Sequence, residues 1–407
     1  MNILFINHYS ITPSKGGSTR HFEIGKRLIK LGHNASLIGG AYHHHLRKNE
    51  IIYSQKEKEN IGGMEIIWLK LPYYKNPHSI QRFLNWFIFA FKLLFIQKRD
   101  IRKPEIIFYS STSLLGIVSA YFLSKRFKAR LVLEIRDIWP LTVIHLRGLS
   151  KLNPLVIFLR LIEIFGYFVS EIIFTTMPLG RKHIIDSGFK NKKVFHLPNG
   201  IENKRSKMID SDVSRKLHEI QKGKFVVGYA GSIGSANWVE SLILAAKLLK
   251  NEKEIFFSII GDGPKKKELV NLSKEFNLNN IFFGDRVPRE YVPKILSSFS
   301  VCFHGSGKNP LYDFGVSPNK MAEYMLHGKP IIDSYSGARG AVEKFNCGIT
   351  VPAGDHKEIA KAIIKMKNLD QRSFEKLSEN AKSAIDSFYD YDVITLSLEK
   401  HLKDLYN

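Results

Sequence analysis

The stretch "FGVSPNKMAEYMLHGKPII", Phe314 to Ile332, joins a turn of small residues to an apolar helix, shortly after the strand-like run "SVCFHG". Ser317 and Asn319 compete as helix caps on either side of Pro318, which suits the first helical turn. Open parallel sheets bind their ligands in the loops that follow their strands. The stretch therefore predicts a strand, loop and helix unit of an α/β sheet, with a ligand at the loop.

Lys320 and Glu323 make this helix start a candidate binding site. A lysine in the first turn opposes the helix dipole, and this conflict is explained if an anion binds beside it. Glu323 lies three residues on, on the same helix face, where its carboxylate can accept hydrogen bonds from a ribose. The alternative is a capped core helix in which both side chains are incidental.

The alternation of strands and helices extends over most of the chain. The first half contains the apolar runs "NILFINH", "GHNASLIGG", "PEIIFYSS", "ARLVLEIRD", "SEIIFTTM" and "KKVFHLPNG", and the second half contains "FVVGYAGS", "EIFFSIIGDGP", "NIFFGDR" and "SVCFHG". Such runs between helical patterns predict parallel, doubly wound sheets. We expect two α/β domains of Rossmann type that face a central cleft.

The domain boundaries follow from a change in composition. A polar, lysine-rich segment at 204–223 separates the two series and predicts a linker with a short surface helix. We expect an N-terminal domain over 1–203, a C-terminal domain over 224–385, and a terminal helix over 386–407 that packs back toward the N-terminal domain.

Composition limits the class of protein. With 407 residues, the chain is too long for one ordinary domain, and its net charge of +23 favours an anionic partner such as nucleic acid, an anionic lipid surface or a phosphorylated substrate. Cys302 and Cys347 are too few for a disulfide framework and fit core thiols in a reducing cytoplasm. The start, "MNILFINHY", lacks the layout of a signal peptide and is typical of a buried strand.

Two aromatic stretches bear on the choice of partner. They are "IQRFLNWFIFAFKLLFIQKRDIRK", Ile80 to Lys103, and "NPLVIFLRLIEIFGYFVS", Asn153 to Ser170. Charges interrupt both, so neither offers the roughly 20 apolar residues that span a bilayer. Each is either a buried or half-buried helix, or a helix that rests on a membrane interface with lysine and arginine at anionic headgroups.

Two loops in the first half carry candidate functional residues. Gly16 and Gly17 in "SKGGSTRH" precede a helix whose amides suit a phosphate, although an ordinary turn explains them equally well. In "LEIRDIWP", Glu134, Arg136 and Asp137 end an apolar strand, where charges are costly to bury unless paired or used. Pairing of Arg136 with Glu134 or Asp137 is one interpretation, and a catalytic or acceptor-binding role is the other.

Two glycine loops open the second half, and a histidine cluster lies in the first. "GYAGSIGSANW" places three glycines before a helix, while "GDGPKKKEL" combines a tight turn with lysines on a solvated helix face. His43, His44 and His45 are consecutive, so they share no face, and no cysteine accompanies them. They predict a loop rather than a metal site.

In order and spacing, these motifs resemble the retaining, nucleotide-sugar-dependent glycosyltransferases of family 4, which have the two-domain GT-B fold. The resemblance covers nearly the whole chain. It rests on "KGGSTRHFEIGKRLIKLGHNASLIG", "VFHLPNGI", "IGDGPKKKEL", "NIFFGDRVPREYVPKILSSFSVCFHGS", "SPNKMAEYMLHGKPII" and "CGITVPAGD".

The resemblance implies a set of nucleotide-sugar-binding residues. Within this set, the loop glycines and the first turn of the helix hold the diphosphate, Arg286 and Val287 flank the base, and Glu323 binds the ribose. No metal or other cofactor is implied. The set comprises Gly16, Gly17, Gly231, Ser232, Arg286, Val287, Ser317, Pro318, Asn319, Lys320 and Glu323.

The chain departs from the family pattern at several points. Gly315 stands where the first of two glutamates is usual, and Asp313 is the nearest acid. Ser232 and Asn237 replace the usual arginine and lysine after the first strand of the C-terminal domain. Arg136 stands where a histidine is frequent. These departures concern how the donor sugar is held.

Resemblance and charge together predict a cytoplasmic glycosyltransferase of surface polysaccharide synthesis, peripheral on the inner face of the cytoplasmic membrane. It would transfer a hexose or N-acetylhexosamine from a nucleoside diphosphate sugar, with UDP as the expected nucleotide, to a polyprenyl-diphosphate-linked or glycan acceptor. No nucleic acid is expected as partner. We expect Lys320 and Arg136 to stabilise the leaving diphosphate and Asp137 to lie near the acceptor.

Two other functions fit the same sequence. A nucleotide-sugar epimerase of this fold would interconvert sugars without an acceptor. A membrane-associated binding protein that has lost catalysis would fit the missing first glutamate.

Overall fold

The computed structural model describes residues 1–13, 19–43, 56–74, 79–204 and 208–406. The chain divides into two compact units. Unit 1 comprises Met1–Glu202 with Tyr391–Asn407, and unit 2 comprises Asn203–Asp390.

Unit 1 is built on an eight-stranded sheet of order β3-β4-β2-β1-β5-β6-β7-β8. Its strands are β1 (Asn2–Asn7), β2 (Asn34–Gly40), β3 (Lys56–Ile61), β4 (Met64–Leu69), β5 (Ile106–Ser110), β6 (Arg130–Ile135), β7 (Ile172–Thr175) and β8 (Lys193–His196). Its helices are α1 (Arg20–Lys30), α2 (Ile80–Leu93), α3 (Gly116–Phe127), α4 (Leu141–Arg147), α5 (Pro154–Val169), α6 (Gly180–Asp186) and the C-terminal α15 (Tyr391–Lys403).

The predicted strands of unit 1 pair in parallel, as in the register Ile3 with Ala35 and Ile3 with Ile106. The hairpin of β3 and β4, which is antiparallel, was not expected from the sequence. Its outer strand, "KEKENI", lies at the sheet edge, where polar residues are favoured, so it carries no apolar pattern.

Unit 2 is built on a six-stranded, wholly parallel sheet of order β11-β10-β9-β12-β13-β14. Its strands are β9 (Phe225–Ala230), β10 (Ile255–Ile260), β11 (Ile281–Gly284), β12 (Val301–Gly305), β13 (Ile331–Ser334) and β14 (Gly348–Val351). Its helices are α7 (Asp212–Ile220), α8 (Val239–Leu248), α9 (Lys266–Glu275), α10 (Val292–Ser297), α11 (Asn319–Leu326), α12 (Ala341–Phe345), α13 (His356–Lys367) and α14 (Gln371–Ala384).

The two sheets confirm the predicted fold class of two parallel-sheet α/β domains. In unit 2, strand residues such as Val227 and Phe257 pack with Leu242 of α8 and Ile363 of α13 in one buried cluster. Cys302 lies in β12 and, like Cys347, is a buried free thiol. Since parallel strands end at one edge, the loops after β9, β10, β12 and β13 share that edge of unit 2.

The helix α7, predicted within the linker, and the C-terminal helix α15 each belong to one of the two units. Residues 204–223 include α7, which starts with a capping box of Ser211 and Ser214, buries Leu217 and belongs to unit 2. After Asp390 the chain returns to unit 1, where α15 packs along α1.

Both aromatic stretches form helices, α2 and α5, in unit 1. Each buries one side, with Trp86 and Phe89 inward in α2 and Leu159 inward in α5. Among the described residues, no helix has both the length and the apolar character needed to cross a bilayer.

Candidate functional site

The helix start predicted at "GVSPNK" is the first turn of α11, directly after the loop that follows β12. The prediction that Ser317 or Asn319 caps this helix is wrong, because Pro318 is the N-cap residue, with extended backbone (φ −73°, ψ 130°), and α11 starts at Asn319. Proline has no side-chain oxygen to accept from the first-turn amides. An anionic ligand suits such a helix start, because the dipole favours negative charge there.

The amine of Lys320 is the best-defined functional group of this region. Its Nζ donates to Tyr229 Oη at 2.9 Å and to Asn237 Oδ1 at 2.6 Å, and it lies 4.6 Å from the centroid of the Tyr229 ring. Both acceptors are uncharged, and burial lowers the pKa of Lys320 to about 8. A half-buried cation held by neutral oxygens gains free energy when an anion binds beside it.

Tyr229 has a positioning role that the sequence analysis missed. It is the fifth residue of β9, and its hydroxyl donates to the backbone oxygen of Ser232 while accepting from Lys320. The only sequence signal is a tyrosine in an otherwise apolar buried strand, since a buried hydroxyl needs a partner. Tyr229 thereby connects the loop after β9 to α11.

Close backbone approaches join the glycine loops of unit 2. A Cβ on Gly261 would lie 1.8 Å from the oxygen of Gly231, and one on Gly263 would lie 2.3 Å from the oxygen of Ile233. Gly261 and Gly263 have φ near 151° and 156°, as Gly231 has near 153°, where other residues are strained. A Cβ on Gly231 would lie 3.4 Å from Lys320 Nζ, so this loop borders the amine.

Glu323 lies one helical turn after Lys320 and is half-buried. Burial raises the pKa of its carboxyl group, and the positive charge of Arg289 offsets part of that rise. Arg289 lies in the short 3-10 turn Arg289–Tyr291 and was not singled out from the sequence. The structure thus places Glu323 on the same helix as Lys320, with a basic residue acting on its carboxylate.

The other residues predicted for unit 2 occupy the same strand-end edge. Ser232 is exposed and follows Gly231 directly. Arg286, exposed, and Val287, half-buried, follow the edge strand β11, with β10 and β9 between it and β12. Gly315, where the family pattern has a glutamate, has a φ of 85° and ends the 3-10 turn Pro310–Phe314.

In unit 1, Glu134 is a buried structural residue. It accepts from Arg20 Nε at 2.8 Å and Ser110 Oγ at 2.7 Å and pairs with His21 Nε2 at 2.8 Å. The hydrogen-bond partners of Glu134 come from α1 and β5, while the positive charge of Arg136 also acts on its carboxylate. These charges hold the pKa of Glu134 well below its usual value despite burial, whereas burial lowers the pKa of His21.

Arg136 and Asp137 follow β6 and have different surroundings. Arg136 Nη2 donates to Asn199 Oδ1 at 3.3 Å, while Asp137 is exposed with Arg136 and Arg82 as neighbouring positive charges. Arg82 also donates to Tyr9 Oη at 3.1 Å. Arg82 and Tyr9 were not identified from the sequence.

Two loops predicted from the sequence, at residues 16–17 and 43–45, remain to be placed. Gly16 and Gly17 lie outside the described residues, as do His44 and His45. His43 is buried, and its Nε2 lies 3.1 Å from the backbone oxygen of Ser10.

Comparison with known proteins finds a family pattern in the second half of the chain. Residues 210–384 match the family model "Glycosyl transferases group 1". The chain is 25% identical over 252 residues to the putative colanic acid biosynthesis glycosyl transferase WcaI of Escherichia coli, a match that spans 60% of this chain and 61% of that relative.

Two further relatives are glycosyltransferases by name. The uncharacterized glycosyltransferase MJ1069 of Methanocaldococcus jannaschii is 24% identical over 342 residues, which cover 83% of this chain and 82% of the relative. The capsular polysaccharide biosynthesis glycosyltransferase CapM of Staphylococcus aureus is 24% identical over 283 residues, which cover 64% of this chain and 69% of the relative.

Solved structures match over the full length. Sucrose-phosphate synthase from Thermosynechococcus elongatus superposes with a TM-score of 0.74 at 17% identity, covering 100% of this chain and 99% of that chain. Anabaena HepE, solved in complex with UDP, superposes with a TM-score of 0.69 at 18% identity, covering 99% and 100%. Residues 210–384 therefore carry the sequence pattern of glycosyl transferases group 1, within a chain of GT-B fold whose relatives include glycosyltransferases of polysaccharide biosynthesis.

Proposed function

We propose that this protein is a retaining glycosyltransferase that moves a hexose or N-acetylhexosamine from a nucleoside diphosphate sugar to a lipid-linked or glycan acceptor. The observation that carries the proposal is the Lys320 amine at the first turn of α11, held by the uncharged oxygens of Tyr229 and Asn237. This arrangement suits a diphosphate. UDP is the expected nucleotide, and the similarly folded HepE was solved with UDP.

The donor would be divided among the loops at the strand ends of unit 2. Lys320 and the backbone of Ser317, Pro318 and Asn319 would hold the diphosphate, together with the loop of Gly231 and Ser232. Glu323 would accept hydrogen bonds from the ribose hydroxyls. Arg286 and Val287, in the loop after the edge strand, would flank the base. Gly16 and Gly17 are proposed for the donor phosphates from the family resemblance alone.

The proposed reaction needs no side-chain base. An acceptor hydroxyl attacks the anomeric carbon, the bond from that carbon to the diphosphate oxygen breaks, and the hydroxyl proton passes to the leaving phosphate. Lys320 offsets the negative charge that develops on the diphosphate, which is where fixed cations lower the barrier most. Arg136 is proposed to assist in charge stabilisation, and Asp137 to lie near the acceptor. We expect transfer to proceed in the presence of EDTA.

The acceptor class and the location in the cell are also proposals. WcaI and CapM are named for colanic acid and capsular polysaccharide biosynthesis. A polyprenyl-diphosphate-linked acceptor would agree with those relatives and with the net charge of +23. We therefore propose that the protein works at the cytoplasmic face of the membrane and does not bind nucleic acid.

Titration calorimetry with UDP tests the donor site. We expect UDP to bind the wild type, and Lys320→Ala and Glu323→Ala to weaken binding about tenfold or more, because a hydrogen bond to a charged group contributes about 1.5–3 kcal/mol. Lys265→Ala is the control, since the side chain of Lys265 is 40% exposed and pairs with Glu268. Equal UDP affinity in all four proteins would contradict the assignment.

Reaction products separate the transferase from its alternatives. Thermal shifts across UDP-, GDP- and TDP-sugars identify the donor, because a ligand stabilises the folded state that binds it. Interconversion of that sugar without any acceptor would instead indicate an epimerase. Donor binding without turnover on membrane-extracted lipid acceptors would indicate a binding protein.

A further inference from the structure

Helices α2 and α5 of unit 1 turn a strongly apolar side to solvent. In α5, Ile157, Phe158 and Leu161 are exposed, while Glu163 faces inward and is hydrogen-bonded to Tyr167. In α2, the exposed residues Leu84, Phe87 and Phe91 lie opposite the buried Trp86, Phe89 and Leu93. Each helix is therefore apolar on both sides, although only one side is needed for the core.

The two exposed sides form one surface. The rings of Phe87 and Phe158 stack with their centroids 6.4 Å apart, so exposed side chains of α2 and α5 contact each other. We call the surface of Leu84, Phe87, Phe91, Ile157, Phe158 and Leu161 the apolar face. Contiguous exposed apolar surface of this kind marks an interaction site in a water-exposed protein.

Basic residues predominate among the exposed charges of the segment that carries the apolar face. Of the five acidic residues between 80 and 170, Asp100, Glu134 and Glu163 are buried, whereas Glu105 and Asp137 are exposed. Exposed basic residues adjoin both helices of the face. Lys98 and Arg99 follow α2, Lys125 and Arg126 lie in the last turn of α3, and Arg147 ends α4, with Lys151 between α4 and α5.

One of these basic residues is fixed against α2. Arg126 Nη1 donates to the backbone oxygens of Leu94 and Ile96, at 2.7 Å and 2.9 Å, and so ties the end of α3 to the end of α2. The positive end of the face is therefore part of the packed structure of unit 1.

We propose that the apolar face docks on an anionic lipid surface, an inference that rests on the proposed lipid-linked acceptor. Aromatic and leucine side chains enter the acyl boundary, and the basic ends meet the headgroups. A second copy of the chain would bring the same positive charges against each other, which opposes self-association. Charge thus selects the lipid surface as the occupant.

The same helix connects this face to the candidate acceptor residues. On the side of α2 away from solvent, Arg82 Nε and Trp86 Nε1 donate to Tyr9 Oη at 3.1 Å and 2.8 Å, and Arg82 acts on Asp137. Docking through α2 would place the strand ends of unit 1 near the lipid surface, where a lipid-linked acceptor presents its sugar.

Vesicle sedimentation with the full chain tests the proposal. The probes are phosphatidylcholine vesicles with and without phosphatidylglycerol, at low and high salt. We expect salt-sensitive binding to the anionic vesicles, and at least a tenfold loss in the double variant Leu84→Glu with Leu161→Glu. The matched control is Leu248→Glu with Leu396→Glu, because these leucines, 51% and 53% exposed, lie on α8 and α15 and resemble Leu84 (51%) and Leu161 (62%) in exposure.

Three outcomes would overturn the docking surface. They are equal vesicle binding by both double variants, binding that ignores lipid charge and salt, and a dimer that the Leu84/Leu161 variant dissociates without any vesicle binding by the wild type. UDP calorimetry on the same proteins separates this inference from the proposed function. If the wild type binds vesicles but not UDP, the proposed donor site is contradicted and the proposed docking surface is supported.

Discussion

At the scale of single residues, Lys320 shows how burial among uncharged groups lowers the pKa of an amine. Its amine rests on Tyr229 and Asn237, and burial brings its pKa to about 8. The amine is therefore charged below pH 8 and increasingly neutral above it. A bound diphosphate favours the charged form, so nucleotide affinity is linked to this titration.

The first prediction is a pH dependence of UDP binding. Above pH 7 the terminal phosphate is largely ionised, since its second pKa lies near 6. We expect the affinity of the wild type to fall about tenfold from pH 7 to pH 9, because one pH unit above its pKa about a tenth of the amine stays charged. In Lys320→Arg the charge persists, so calorimetry should give a flat profile. A parallel fall in both proteins would exclude Lys320 as the titrating group.

At the scale of elements, the loops after β9 and β10 are placed by backbone contact. Gly261 lies so close to the carbonyl of Gly231 that no side chain fits between them, and its φ of 151° adds strain for any other residue. Parallel strands bring these loops to one edge, and the glycines let them touch. The position of Gly231 beside Lys320 depends on this contact.

Gly261→Ala tests the packing of these loops. We expect it to lower the free energy of unfolding of unit 2 by about 3 kcal/mol and to weaken UDP binding, because the added methyl group forces backbone to move. Gly223→Ala is the control, since Gly223 has a φ of 71° but nothing within 4 Å of the added Cβ. It should cost about 1 kcal/mol and leave UDP affinity unchanged. Hydrogen exchange of the β9 amides measures the unfolding free energy of each variant, and titration calorimetry measures its UDP affinity.

At the scale of the whole molecule, the chain leaves unit 1 and later returns to complete it. Ile394, Leu398 and Leu402 of α15 lie in the same buried cluster as Ile24 and Leu28 of α1. Two side-chain contacts also join this last helix to unit 1, Arg27 with Asp392 and His33 with Glu399. The stability of unit 1 therefore depends on residues from both ends of the sequence.

Leu398→Ala tests that dependence. Leu398 is fully buried, so we expect a loss of about 2–5 kcal/mol in the free energy that protects the β1 amides from hydrogen exchange. Leu396→Ala on the same helix is the control, because Leu396 is 53% exposed and should cost less than about 0.5 kcal/mol. Equal protection in the two variants would show that α15 does not stabilise unit 1.

The sequence by itself determined the α/β class and the presence of a helix that carries Lys320 and Glu323. Apolar runs and helical periods are local signals, so they predicted two parallel sheets and put Lys320 and Glu323 on one helix face. The hairpin strand β3 was missed because an edge strand can be polar. The cap of α11 was misplaced because several residues of "SPN" suit the position and only the backbone decides among them.

Only the tertiary structure decided which side chains meet. It gave Lys320 its partners Tyr229 and Asn237, which lie 91 and 83 residues earlier. It brought Arg20, 114 residues away, into hydrogen-bond contact with Glu134. It also showed that α2 and α5 bury the side chains of one side and expose apolar side chains on the other. Contacts between distant residues depend on how strands order in a sheet, and no local pattern encodes that order.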